Sequence, residues 1–232
     1  MKKSSLLFSL SAISFAIFLV FTVLLAVCDR APVVYDEMSN ITANVGFAGI
    51  NQAVFNALGT SDLWYEFTEF LGFIAFGGAA ILALVGFGQF AKRKSIWAVD
   101  RELLLLAILY ILVAFFYAIF EVVVINYRPI LVGGVLEASY PSSHTTLACC
   151  IFMTAPFACR HLIKSEDAHA LISLLCYSFT PVMIIGRLVS GVHWLTDIIG
   201  AVLLSASLVL LYVAAITLLN ERAPHKKHHS HR

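Results

Sequence analysis

Apolar residues in this chain come in long unbroken runs rather than in alternating or amphipathic patterns. Six runs are long enough to cross a bilayer as helices, which takes roughly 20 residues each. They lie near Leu6–Val27, Phe70–Ala91, Leu103–Ile125, Thr145–Ile163, Ala168–Ile185 and Ile198–Leu219. The pattern predicts an all-α, polytopic membrane protein: a bundle of about six transmembrane helices. Residues 1–221 form one membrane domain, and 222–232 form a basic, His-rich tail. The first run follows Met1-Lys2-Lys3, as a signal peptide would. It exceeds the usual apolar core of about 7–15 residues, so a retained helix is expected. Between the first two runs, Phe47, Ile50, Val54, Phe55 and Leu58 recur at helical spacing. That stripe fits either a short interfacial helix or a plain connector.

Composition agrees with the pattern. Of 232 residues, 60% are hydrophobic and 12% charged, about half the charge of a soluble domain. The net charge of +1 gives no reason to expect nucleic-acid binding. Cys28, Cys149, Cys150, Cys159 and Cys176 lie in or beside apolar runs, with no metal spacing and no disulfide framework.

Charge gives the runs a direction. Lys2, Lys3, Lys92, Arg93, Lys94, Arg101, Arg160, Lys164, Arg222, Lys226, Lys227 and Arg232 all fall on one side of the predicted membrane. Only Arg30, Arg128 and Arg187 fall on the other. The positive-inside rule then predicts a plasma or inner membrane protein with both termini in the cytoplasm. The Asn40-Ile41-Thr42 sequon would matter only in a eukaryotic secretory host. His225, His228, His229 and His231 read as an ordinary basic cytoplasmic end near anionic lipid rather than a metal site.

The outward ends of runs three to six carry residues that are costly there. Ser139-Tyr140-Pro141-Ser142-Ser143-His144-Thr145-Thr146 opens the fourth run, Arg128 ends the connector before it, and Arg187, His193 and Asp197 lie between the fifth and sixth. Ionisable groups at that depth are usually functional. His193 and Asp197 are four apart and share a helix face. Asp197 can fix one ring nitrogen of His193 and leave the other as a nucleophile. Arg187 presents a planar fork to two phosphate oxygens. Ser142 or Ser143 can cap the fourth helix and leave its positive end free for a phosphate. His144 would stand beside that phosphate as an acid.

Together these residues resemble the type 2 phosphatidic acid phosphatase superfamily, the membrane lipid phosphate phosphatases. Its motifs are K-x6-R-P, P-S-G-H and S-R-x5-H-x3-D. The second is similar to Pro141-Ser142-Ser143-His144, with Ser143 in place of glycine. The third is similar to Gly186-Arg187 followed by His193 and Asp197 at the family spacing, with Gly186 in place of serine. The first keeps Arg128-Pro129, but Glu121 stands where the family has lysine. The resemblance implies a six-helix bundle with its active site at the outer helix ends and no metal or cofactor. It implies His193 as nucleophile, Asp197 as its partner, His144 as acid, and Arg128, Arg187, Ser142 and Ser143 around the phosphate.

Glu121 is expected to face away from the phosphate and brace Arg128. The other explanation is an enzyme weakened or retuned by loss of the lysine. The expected function is hydrolysis of a terminal phosphate from a membrane lipid: a polyprenyl diphosphate, phosphatidic acid or phosphatidylglycerol phosphate. The family association puts an undecaprenyl-diphosphate-type substrate first for a bacterial host. The rival readings are a lipid phosphotransferase using the same phosphohistidine, and a non-catalytic lipid- or partner-binding membrane protein. No oligomeric state is implied.

Overall fold

A computed structural model describes residues 2–36 and 41–222. Asn40 of the sequon and the four tail histidines lie outside these residues. Helix α1 (Lys3–Val27) is followed by a hairpin of β1 (Ala31–Asp36) and β2 (Ile41–Val45), then α2 (Ala48–Leu58), α3 (Asp62–Arg93), α4 (Arg101–Val122), α5 (Ser143–Cys159), α6 (Glu166–Val189) and α7 (Leu195–Arg222).

Local chemistry sets the ends of these helices. Ser61 opens α3 by accepting from the Trp64 N–H, and Ser165 opens α6 by accepting from the Ala168 N–H. Glu166 and Asp167 add negative charge to the first turn of α6, where the helix dipole favours it. The turn from α3 to α4 is pinned by Asp100, which pairs with Arg93 at 3.1 Å and accepts from the Gln89 amide at 2.6 Å.

Among the described residues, five helices (α1, α3, α4, α6 and α7) are long and apolar enough to span a membrane. The run expected over Thr145–Ile163 gives the shorter apolar helix α5, with 17 residues, ending at Cys159. At 1.5 Å per residue α5 is about 25 Å long. It packs against α3, α4, α6 and α7, so protein rather than lipid surrounds it and its length need not match the bilayer. The stripe between the first two runs is indeed a helix, α2. The hairpin before it was not visible as a pattern.

Two apolar clusters hold the bundle. One gathers Phe18 and Leu25 of α1, Leu103, Leu106 and Leu109 of α4, and Leu204 and Leu208 of α7. The other joins Leu71 and Ala75 of α3, Ala148, Ile151 and Phe152 of α5, and Met183 of α6. Polar groups also tie α1 to α7. Ser11 Oγ donates to the Ser207 carbonyl at 2.8 Å, Ser207 Oγ donates back to the Ser11 carbonyl at 3.1 Å, and Ser14 Oγ donates to the Leu203 carbonyl at 3.1 Å. Large apolar side chains such as Val20, Phe73, Leu84 and Ile111 are exposed, as lipid-facing positions would be.

Candidate active site

The start of α3, the α4–α5 connector, the start of α5, the end of α6 and the start of α7 meet at one end of the bundle. Arg187 sits in the last turn of α6, fully buried. The chain then reverses through Gly191, whose φ of 75° suits glycine. A Cβ there would come within 2.6 Å of the Gly59 carbonyl. This turn delivers His193 and Asp197 to the start of α7.

His193 Nδ1 lies 3.6 Å from Asp197 Oδ2, on the side expected but too far for a firm hydrogen bond. Asp197 Oδ2 also accepts from the Trp194 N–H at 2.9 Å, so the carboxylate caps the start of its own helix. Arg187 Nη2 is 3.4 Å from His193 Nε2. A guanidinium can only donate, so this contact makes Nε2 the bare nitrogen and puts the proton on Nδ1, toward Asp197. Burial, then the Arg187 and Arg128 guanidinium groups, push the His193 pKa well below the ordinary histidine range. The ring is therefore neutral, with the unprotonated Nε2 turned to Arg187.

The α4–α5 connector folds back on itself, with Arg128 N donating to the Glu137 carbonyl at 3.0 Å and Ser139 N to the Asn126 carbonyl at 2.9 Å. Trp194 Nε1 donates to the Tyr127 carbonyl at 2.6 Å and locks this connector to the α7 start. Arg128 is thereby aimed at the site, with its Nε 3.1 Å from Glu137 Oε2. The carboxylate on Arg128 is thus Glu137 and not the expected Glu121. Glu121 is exposed, lines the cavity described below, and makes no ion pair among the described residues. It sits on the last turn of α4, whereas the fold-back of the connector brings Glu137 alongside Arg128.

Ser142 is the N-cap of α5, as expected. Its Oγ accepts from the Thr145 N–H at 3.5 Å and its N–H donates to the Asp197 carbonyl at 3.2 Å. It is fully buried, so its hydroxyl serves the helix rather than a ligand. Ser143 and His144, the first residues of α5, line the cavity instead.

Sequence reasoning missed Glu69. One carboxylate oxygen lies 2.7 Å from Arg187 Nη1 and the other 3.2 Å from His144 Nε2. The available signal was an ionisable residue at the head of an apolar run, but the run was read as starting at Phe70, outside a connector. Helix α3 begins eight residues earlier, at Asp62, and so carries Glu69 inside the site. The same face of α3 explains one departure from the family motif. A Cβ on Gly186 would come within 2.6 Å of Thr68 Cγ2 and 2.9 Å of Trp64 Cε3, so α3 fills the space a serine would need.

These groups rim a cavity of about 850 Å³. Its lining includes Arg128, Glu137, His144 and His193 together with Val113, Leu147, Ile151 and Leu204. The walls are mostly apolar. Among the described residues, no group of three or more His, Cys, Asp or Glu side chains is arranged to hold a metal ion.

Residues 124–221 match the PAP2 superfamily. The matched stretch is 98 of the chain's 232 residues. The PAP2 match takes in Arg128, Ser142, Ser143, His144, Arg187, His193 and Asp197, and begins just after Glu121. It leaves Glu69 outside. The architecture is similar to the crystal structure of the first transmembrane PAP2-type phosphatidylglycerolphosphate phosphatase from Bacillus subtilis, with a TM-score of 0.61 and 17% identity. The alignment covers 94% of this chain and 99% of that one, so the two share a fold over nearly their whole length. No curated protein matches the chain.

Proposed function

We propose that this protein is an integral membrane phosphatase that removes a terminal phosphate from a lipid phosphate or diphosphate. The observation that carries this reading is the bare, neutral Nε2 of His193, held against Arg187 on the wall of a largely apolar cavity. Nε2 attacks phosphorus, and the bond to the leaving oxygen breaks as His144 gives that oxygen a proton. The imidazolium formed on His193 is neutralised by Asp197. Water, giving its proton to His144, then attacks the P–N bond and releases phosphate. Arg128 and Arg187 hold the phosphoryl oxygens where charge spreads in the transition state, together with backbone N–H groups at the start of α5.

The apolar lining of the cavity favours a substrate with a hydrocarbon tail. Polyprenyl diphosphate, phosphatidic acid and phosphatidylglycerol phosphate all fit that description, and the phosphatidylglycerolphosphate phosphatase with the same fold makes the last worth testing first. The described cations of the sequence cluster lie at the opposite end of the bundle, which favours a site facing away from the cytoplasm. The test is inorganic phosphate release by purified protein from each of the three lipids, with His193→Ala as control and excess chelator in a parallel arm. Activity lost in chelator and restored by magnesium would overturn the route through His193. Transfer of label to a second lipid or sugar without free phosphate would identify a phosphotransferase. No turnover on any lipid, with binding retained, would identify a non-catalytic member.

A further inference from the structure

The polar groups of the site form one continuous line: His144 Nε2, Glu69, Arg187, His193 and Asp197, with successive separations of 3.2, 2.7, 3.4 and 3.6 Å. Its second member, Glu69, comes from α3. We infer that Glu69 is a positioning residue, the carboxylate partner of the leaving-group acid His144 and the anchor of Arg187, and that it stands to His144 as Asp197 stands to His193. This rests on the phosphohistidine reading above.

Four observations support it. The two oxygens of one carboxylate reach two different groups of the proposed machinery, and a side chain placed by chance would not satisfy both. Arg187 is fully buried, and the other acceptors within its reach are the Thr68 hydroxyl at 3.4 Å and His193, so Glu69 is the anion that allows the guanidinium to stay there. Tyr65, one turn before Glu69, places its ring 5.5 Å from the guanidinium carbon. Gly72, three residues after Glu69 on the same face, makes room for the imidazole: a Cβ there would lie 3.3 Å from His144 Cδ2. Helix α3 is therefore shaped around His144 and Arg187 together. A carboxylate accepting from Nε2 fixes the ring's orientation and keeps a proton on that nitrogen. The charged groups facing His144 are Glu69 from α3, Arg187 from α6 and Arg128 from the connector.

The test compares Glu69→Gln with wild type on two kinds of phosphate ester. Glutamine keeps the size and an oxygen for Arg187, but it carries no charge and its amide meets His144 Nε2 as a donor, so the imidazolium that gives up its Nδ1 proton loses its carboxylate partner. An alkyl or lipid phosphate has a poor leaving group and needs the acid. An aryl phosphate such as p-nitrophenyl phosphate has a good one and does not. Glu69→Gln is expected to lower kcat on the lipid phosphate by about 100-fold, the scale of a lost acid catalyst, with KM within about threefold. On the aryl phosphate kcat should fall by no more than about fivefold. Glu69→Asp keeps the charge and shortens the reach, and should show the same selective loss to a smaller extent. It also serves if the glutamine variant does not fold.

Equal losses on both esters would mean that Glu69 only supports the fold and would overturn the inference. So would unchanged kcat, or a gain, which would make Glu69 a competitor for the phosphate position. The underlying reading fails separately: wild type would release no phosphate, or His193→Ala would match it.

Discussion

His193 is the residue on which most rests. His193→Ala is expected to abolish phosphate release while lipid binding persists, and Asp197→Asn to lower kcat by about 10⁴-fold, as when a triad carboxylate is lost and the wrong tautomer admitted. A tenth of wild-type turnover in His193→Ala would refute the assignment. The depressed pKa of His193 also has a sign. Above about pH 6.5, the ordinary histidine value, the ring is neutral whether folded or unfolded and adds no pH dependence. As pH falls below that, the unfolded chain takes up a proton that the folded site refuses, so stability declines. Between pH 7 and pH 5 the wild type should lose more thermal stability in detergent than His193→Gln, which cannot titrate. The pairing of Arg128 with Glu137 changes the expectation for Glu121. Glu121→Lys leaves that pair intact and adds a cation to the wall of the cavity, so kcat/KM should rise on the best lipid phosphate; an equal or lower value would show that this position does not reach the phosphate. The histidines, both arginines and Asp197 were legible because each sits in a short stretch with its own spacing. Glu69 was not: 118 positions separate it from Arg187, and such a meeting comes from helix packing, which no local pattern records.

Elements explain the glycines of the site. Gly200 on α7 faces Tyr140, and a Cβ there would fall within the tyrosine ring. The ring has no room to yield, with Phe18 stacked on it at 6.2 Å, Phe120 edge-on at 5.7 Å and its hydroxyl 2.7 Å from Thr22 Oγ1. Gly200→Ala should therefore cost about 1–3 kcal/mol, the usual range for overpacking. It should also impair activity, since Tyr140 leads directly into the Ser142 cap. Gly186→Ser introduces the serine of the motif that this stretch resembles yet should destabilise to a similar extent through Trp64 and Thr68. Thermal unfolding in detergent checks both, and a serine variant as stable as wild type would show that α3 and α6 can part at little cost. The apolar runs were legible as helices because length and hydropathy suffice for that. Their starts were less so: α3 begins at Asp62 because a serine caps it, well before its apolar run. The hairpin of β1 and β2 was hidden because no strict alternation marks Ala31–Asp36, and its pairing depends on a fold-back that sequence spacing does not display.

At the scale of the whole molecule, the site and the described cations of the sequence cluster occupy opposite ends. Single cysteines at Thr60 and Val135, both exposed at the site end, in a background without the five native cysteines, should react with an impermeant reagent on intact cells. A cysteine at Trp97, exposed at the other end, should react only after permeabilisation. The reverse result would turn the protein over and put the site in the cytoplasm. The pairing of α1 with α7 has a further meaning for biosynthesis. A chain entering the membrane from its N-terminus presents α1 long before α7 exists. Until α7 arrives, Ser4, Ser11 and Ser14 face lipid or a passing helix instead of Glu221, Ser207 and Leu203. Their hydroxyls have only local carbonyls to bind, and the groove that α7 fills stays open. The polar seam thus acts as a record of completion. A product that stalls before Leu195 lacks every one of these partners and carries an unpaired serine face into the bilayer.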